Sequence, residues 1–545
     1  MMRWRTLALA GCALAVTATA AEAQTPPAQA DPSAVGAGLI RRGEGLATPR
    51  VGSDEPAEIE GVPAPSQPAQ TSAGQVSFRL QAVRFGESRF LKPGELEALA
   101  APLIGTEVSF ADLGRLLDRI NARFAAAGAV TARAILPPQQ IEGGVVRIDI
   151  VEGRVGRQSV VSPGYTPAAY VEPRVGLPPG EVVDLAQLRR RISGFNRTND
   201  AQLRAELQAG ASTGLTDINV TVVDPARTGL QVFVDNNAYA STGRLQAGLS
   251  LRRNQVLAPG DRATLYAAAS EGSLTGVGAY SAPVGRLLRA SFSYAHSDIE
   301  VVDGPFAELD VKGRSDTAVA SLARPVLIGE TYGVSAQGAY TVIRSVNEVA
   351  GETVGDVALG KLTLGLNGFA EGRAGLLRFD YNLSYAGVDH RVGTGADHFA
   401  QTAATLEYTS APIAAELVVR AALSAQYADH RDLPGSQVFQ LGGVASVRGY
   451  EPGALSGHAG YVGSVELHRG FTLGDRRTLD AYVFSDAGQV FFEADERLIG
   501  SVGLGLNVAL TERLLLQGVY GYGYERAGAE APGDRLELRL AYTFS

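Results

Sequence analysis

One arginine stands among glycines and small residues in Leu441-Gly-Gly-Val-Ala-Ser-Val-Arg-Gly-Tyr450, a run that continues as Glu-Pro-Gly-Ala-Leu-Ser-Gly-His458. A guanidinium held away from bulk water is costly unless a carboxylate meets it. Its planar fork suits bidentate pairing better than a lysine does. Phe484-Ser-Asp-Ala-Gly488 offers a carboxylate, Asp486, on a strand-like stretch whose alternation does not decide the face it takes. Two readings are open: an ion pair between Arg448 and Asp486 inside a cavity, or a solvated loop arginine and an ordinary turn aspartate.

Other chemistry is sparse. The six histidines lack metal-ligand spacing, so no metal is expected. Gly503-Leu-Gly505 is followed by no helix and does not read as a phosphate loop. No Gly-x-Ser-x-Gly stretch precedes a helix. Neither a catalytic site nor a cofactor is expected, and the chain is not read as an enzyme. A net charge of −9 disfavours a nucleic-acid partner.

The elements that must position Arg448 begin with an export signal. Met1-Met-Arg-Trp-Arg5, the apolar run Thr6–Ala20 and Ala21-Glu-Ala23 read as a signal peptide over residues 1–23, too short for a permanent anchor. The only cysteine, Cys12, lies inside it. Leu9-Ala-Gly-Cys12 also fits a lipoprotein cleavage site, but it leaves an apolar stretch of about six residues where a signal has ~7–15. Residues 24–75 are rich in Ala, Pro, Gly and Gln and read as a tether, with Leu39–Leu46 as the candidate short helix.

Two small α+β units follow, at 76–153 and 154–226. In the first, Val76–Phe85 reads as a strand, and Pro93 opens a short helix. Leu113, Leu116, Leu117, Ile120 and Phe124 share one face of a second helix, before strands at 130–136 and 145–151. The second unit carries a helix at 184–195 and strands at 202–208 and 218–223. A single larger α+β domain is the other reading.

Beyond Pro225 the composition changes. Of 19 tyrosines, 17 lie after residue 228, whereas 18 of 26 prolines lie before it. Tyrosines suit the aromatic girdles of a membrane barrel, and proline breaks strand ladders. About sixteen amphipathic stretches of roughly 9–14 residues can be marked. The clearest is Leu536–Phe544, where Leu536, Leu538, Leu540, Tyr542 and Phe544 alternate with Glu537, Arg539, Ala541 and Thr543. The fold expected is an all-β transmembrane barrel of about 16 antiparallel strands over 227–545, preceded by the two α+β units. A soluble all-β protein would alternate too, with its apolar face inward. Arg448 falls in the long connection 431–458 between the eleventh and twelfth strands, read as folding into the lumen.

Val447-Arg-Gly-Tyr450 and Phe484-Ser-Asp-Ala-Gly488 resemble the two signature motifs of the outer-membrane transporters of two-partner secretion, the hemolysin secretion/activation type. Leu433-Pro-Gly-Ser436, Gly460-Tyr-Val-Gly-Ser-Val-Glu466, Ala134-Ile-Leu-Pro-Pro-Gln-Gln140, Val151-Glu-Gly-Arg154 and Asp235-Asn-Asn237 are similar to that family in the same order. The resemblance runs from about residue 76 to the end. It implies two periplasmic polypeptide-transport-associated (POTRA) domains and a sixteen-stranded outer-membrane barrel. In that barrel Val447, Arg448, Gly449 and Tyr450 would meet Phe484, Asp486 and Gly488 in the lumen.

As partners it implies an unfolded secreted polypeptide, hemolysin- or adhesin-like, and outer-membrane lipid around a monomer. Cargo recognition by strand addition would use a groove lined by Leu116, Ile120, Val130 and Ile135, positions that also fit a core. Two departures stand out. The family often has Gly-Asp where this chain has Gly457-His458, so a second carboxylate is missing. Its N-terminal plug helix is usually long and polar, whereas only Leu39–Leu46 could serve here. The rival functions are a barrel-assembly insertase of the same superfamily, a passive porin and a surface adhesin.

Overall fold

The computed structural model describes residues 31–35, 37–39, 59–60, 77–129, 131–212, 214–473, 477–491, 496–525 and 533–544. The expected signal at 1–23, most of the tether, residues 40–46 of the expected plug helix and the candidate Val130 lie outside the described residues.

Sixteen antiparallel strands, from Thr228–Asp235 to Asp534–Phe544, close into one barrel, the first pairing with the last through Leu230↔Phe544 to Asp235↔Arg539. Closure satisfies every ladder and leaves no edge in lipid. The period-2 pattern sets the faces. In the last strand Leu536, Leu538, Leu540 and Phe544 point outward and are exposed, while Glu537 and Ala541 are buried inside. The outer surface carries aliphatic and aromatic side chains such as Phe292, Tyr340, Leu364, Tyr385 and Val483, a surface that water disfavours and hydrocarbon does not. No helix among the described residues is long and apolar enough to cross a membrane.

The N-terminal unit pairs strands Ala82–Phe85, Val145–Glu152 and Ala132–Ile135, with Ser77–Arg79 and Glu107–Ser109 forming a separate pair. The single strand expected over Val76–Phe85 is therefore interrupted where its partner changes: Leu80, buried in the core, still bonds the Gly105–Thr106 backbone, and Gln81 already donates to the Gly144 carbonyl. Helix Phe110–Ala126 starts at a capping box, Ser109 with Asp112, and buries Leu113, Leu116, Ile120 and Phe124 against Val146 and Ile148. In the second unit, helices Ala168–Val175 and Leu185–Thr198 cover the sheet of Arg154–Val161, Leu215–Val223 and Gln202–Ala209. Two tether residues, Ile59 and Glu60, add to the outer edge of this sheet in parallel register with Ala205 and Glu206.

The second unit is fastened to the barrel's short turns. Arg289 donates to the carbonyls of Thr198 (2.9 Å) and Gly260 (3.0 Å), the first being the C-terminal end of helix Leu185–Thr198, where a cation meets the negative pole of the helix. Asp200 pairs with buried Arg262 at 3.0 Å. Arg197 donates to Gly329 and Tyr332 carbonyls and lies over the Phe369 ring.

Candidate functional site

The connection between strands Leu417–Ala428 and Ala459–Leu473 folds back into the barrel and carries a small hairpin, Phe439–Leu441 with Leu455–Gly457. On the wall beside it, Ser464 faces Asp486, Glu466 faces Phe484 and His468 faces Tyr482 across one strand pair. Asp486 is 0 % exposed and turned to the lumen, which decides the face that alternation left open.

Arg448, 6 % exposed, reaches Asp486 with both arms of its fork, Nε to Oδ2 at 2.8 Å and Nη2 to Oδ1 at 2.6 Å. Its backbone N–H donates to the same carboxylate at 3.0 Å. Nη2 also donates to the Ser464 hydroxyl (2.9 Å), and Nη1 pairs with Glu466. The guanidinium carbon sits 3.6 Å from the Phe484 ring centroid, so the motif's aromatic residue covers the cation's face. Several charge-assisted bonds and a ring offset the desolvation that a lone buried arginine would suffer.

The expectation of a missing second carboxylate is corrected here. Position 458 is histidine, but Glu466 on the facing wall supplies the acid, and it lies two residues along the same strand face from Ser464. Glu466 also meets His468 Nε2 (2.8 Å), whose Nδ1 meets Asp480 (3.0 Å), so the loop's cation is the end of a longer polar chain.

The residues flanking Arg448 fix the loop tip. Val447 and Tyr450 are buried with Leu441, Leu455, Val490 and Ile499. The Tyr450 hydroxyl accepts the Glu525 N–H at 3.0 Å and lies 3.1 Å from the Gly500 carbonyl. Gly449 has φ of +92°, and a Cβ there would meet the Gly521 and Gly523 backbones at 3.0 Å. Gly488 leaves room for Leu441, since its Cβ would fall 2.9 Å from that side chain. Next in the chain, Glu451 pairs with Arg244, beside the first hairpin, and with Arg535 of the last strand.

The lumen holds a second insert. Residues 32–35 and 37–39 are helical and bury Val35 and Leu39 against Tyr239 and Ile299 of the barrel. Gln440 of the loop hairpin donates to the Ala34 carbonyl (3.0 Å), and Asn347 donates to Asp31 (3.2 Å). The helix thus begins earlier than the Leu39–Leu46 expected. The signal for its start is Asp31-Pro32: Asp31 accepts the Ser33 N–H at 2.9 Å, and proline opens the first turn.

The expected cargo groove needs correction. Leu116 and Ile120 are 0 % exposed within their own domain's core, because the apolar helical face that marked them is the face the sheet covers. Ile135 is half-buried on the edge strand. That edge is also occupied from within: the Ala132 and Ala134 N–H groups donate to Ala129 O and Asn121 Oδ1.

The sequence profile described as "Haemolysin secretion/activation protein ShlB/FhaC/HecB" matches residues 214–508, and that of "POTRA domain, ShlB-type" matches 78–153. The chain belongs to the ShlB/FhaC/HecB family. It is a two-partner secretion transporter of the bacterial outer membrane, with its POTRA region in the periplasm. The outer membrane transporter CdiB of Dickeya dadantii (strain 3937) is 25% identical over 410 residues, 72% of each chain. The heme/hemopexin transporter protein HuxB of Haemophilus influenzae (strain 86-028NP) is 22% identical over 417 residues, again 72% of each. Among solved structures, CdiB from Escherichia coli superposes with a TM-score of 0.73 at 18% identity, covering 96% of this chain and all of that one. CdiB from Acinetobacter baumannii gives 0.64 at 17% identity over 93% of this chain and 96% of that one, a likeness of fold.

Proposed function

We propose that this transporter carries one unfolded exported polypeptide of the hemolysin or adhesin kind, working as a monomer in outer-membrane lipid and doing no covalent chemistry. The observation that carries this reading is the occupied lumen. A loop and a helix fill it, and both are held by side-chain pairs and small apolar clusters rather than by barrel ladders, so they can leave while the wall stays closed. The Arg448–Asp486 pair is the latch in this account, and the periplasmic POTRA domains are the receptor. Cargo engages by strand addition, with main-chain bonds for affinity and apolar pockets for selection. The pairing of Ile59–Glu60 with strand Gln202–Ala209 supports the second unit's outer edge as an acceptor of this kind.

Translocation then draws on differential binding in the periplasm and on cargo folding outside. The barrel-assembly reading lacks a specific observation in its favour. The test is secretion. Culture supernatants from cells with and without the chain should differ by one large protein. Arg448→Ala should lower its amount several-fold while the barrel keeps its heat-modifiable migration. Unchanged secretion by a folded Arg448→Ala barrel would sink the latch. Exchanging the charges, Arg448→Asp with Asp486→Arg, asks separately whether pairing is what matters.

A further inference from the structure

Two acids bracket one buried ring on the barrel wall. His468 is 4 % exposed and stands in the inward row with Ser464 and Glu466. Its Nε2 lies 2.8 Å from Glu466 Oε2, and its Nδ1 lies 3.0 Å from Asp480 Oδ2 and 3.1 Å from Oδ1. An ionised carboxylate only accepts hydrogen bonds, whereas a neutral imidazole has one N–H and one bare lone pair. In either neutral tautomer, one ring nitrogen would turn that lone pair on an anion. Both contacts are satisfied together only when both nitrogens donate, which makes the ring an imidazolium.

The surroundings of the ring suit a cation. It stacks on Tyr482, with centroids 4.5 Å and planes 19° apart, on the aromatic face where positive charge is favoured. A Cβ at Gly505 on the next strand would collide with the Tyr482 ring, so the stack depends on a glycine there. Arg448 and His468 together bring two cations to three carboxylates, Glu466, Asp480 and Asp486. On the other neighbouring strand, Leu417–Ala428, Val418 stands opposite His468 and Arg420 opposite Glu466.

Glu466 is the shared member of this chain. One of its oxygens meets the loop through Arg448 Nη1, and the other meets the wall through His468. The two oxygens of a carboxylate are rigidly linked, so fixing Oε2 on the wall sets where Oε1 points. Asp480, which accepts from Asn507 at 3.2 Å, anchors the far side of the ring. We propose that His468 is a positioning residue of the latch: as an imidazolium between Glu466 and Asp480, it holds Glu466 turned toward Arg448. Losing that proton, or the ring, leaves Glu466 and Asp480 with no cation between them. The loop then keeps Asp486 but loses a firmly placed second acid, and its tip leaves the wall more often. This assignment rests on the latch reading of Arg448 and Asp486, and it adds a wall residue that acts through Glu466.

The first test reads the protons directly, by nitrogen NMR of the full-length protein carrying isotope-labelled histidine, in detergent at neutral pH. The chain has six histidines, so His468→Gln identifies the signals of this ring. His296→Gln removes those of the outer-face ring that also lies between two aspartates. Both ring nitrogens of His468 should resonate as protonated, and one bare nitrogen would overturn the assignment. The second test is ion conductance in planar bilayers. His468→Gln should open the pore several-fold more often than wild type. His468→Lys, which returns a cation beside Glu466, should bring opening back toward wild type. Unchanged opening in His468→Gln, or equal leakage by both variants, would mean that the ring serves packing alone. If His468→Gln lacks the heat-modifiable migration of a folded barrel, substituting the other histidines in turn identifies the ring by elimination, and the first test decides. The Arg448→Ala barrel separates the two readings. Leakage there with none in His468→Gln sinks this inference alone, whereas leakage in neither sinks the latch.

Discussion

Arg448 is held by what its own neighbours allow. Gly449 must take a left-handed backbone, and its lack of a side chain lets the loop tip rest on the Gly521–Gly523 backbone. An alanine there would be strained by about 1–3 kcal/mol and would press on main chain that cannot yield. Gly449→Ala should therefore free the loop tip with every charged partner intact. Ion conductance of the purified protein in planar bilayers should rise, and a conductance equal to wild type would mean that the tip is held by charge alone. The arginine and its first acid were legible because both sit in distinctive short runs. Glu466 and His468 were not, since their role appears only when strand register sets Ser464, Glu466 and His468 in one inward row. Glu451 was hidden for a related reason. Its partners, Arg244 and Arg535, are far apart in sequence and meet only through closure of the barrel.

At the scale of elements, period-2 alternation made the strands legible, because in a membrane barrel the burial rule is local and repeats along each strand. The helices were harder. A 3.6-residue apolar stripe marks the face that is buried without saying what buries it, and in Phe110–Ala126 that partner is the domain's own sheet. Leu116→Ala should cost about 2–5 kcal/mol as a cavity in a closed core. Hydrogen exchange across residues 77–153 of the full-length protein should then speed up throughout that domain and remain unchanged in the barrel. If cargo binding fell while protection stayed intact, Leu116 would be a recognition residue after all. The lumenal helix carries a similar lesson. Apolar spacing favours Leu39–Leu46, whereas the cap residues Asp31-Pro32 set its start.

For the whole molecule, the angle at which the second periplasmic unit meets the barrel decides where a docked strand points. Arginine contacts set that angle: Arg289 at the end of helix Leu185–Thr198, Arg262 with Asp200, Arg197 on the Phe369 ring, Arg189 with Glu330 and Arg174 on the Gly285 carbonyl. Arg262 is 5 % exposed, so removing its carboxylate leaves a cation in a site with little water to replace the partner. Breaking a buried pair costs about 3–5 kcal/mol, and the bonds of Arg289 and Arg197 would keep the effect on docking toward the lower figure. Asp200→Ala should leave both the barrel and the periplasmic core folded while loosening their joint. Spin labels on an exposed helix position of the second unit and on a barrel turn should give a broader distance distribution than in wild type. Secretion should fall with the broadening if cargo adds to Gln202–Ala209 as proposed, in place of Ile59–Glu60, because such a strand would then be aimed at the lumen for a smaller share of the time. A distribution as narrow as wild type would show that the remaining arginine contacts fix the joint without Asp200. A secretion defect with an unbroadened distribution would instead place Asp200 in direct contact with cargo.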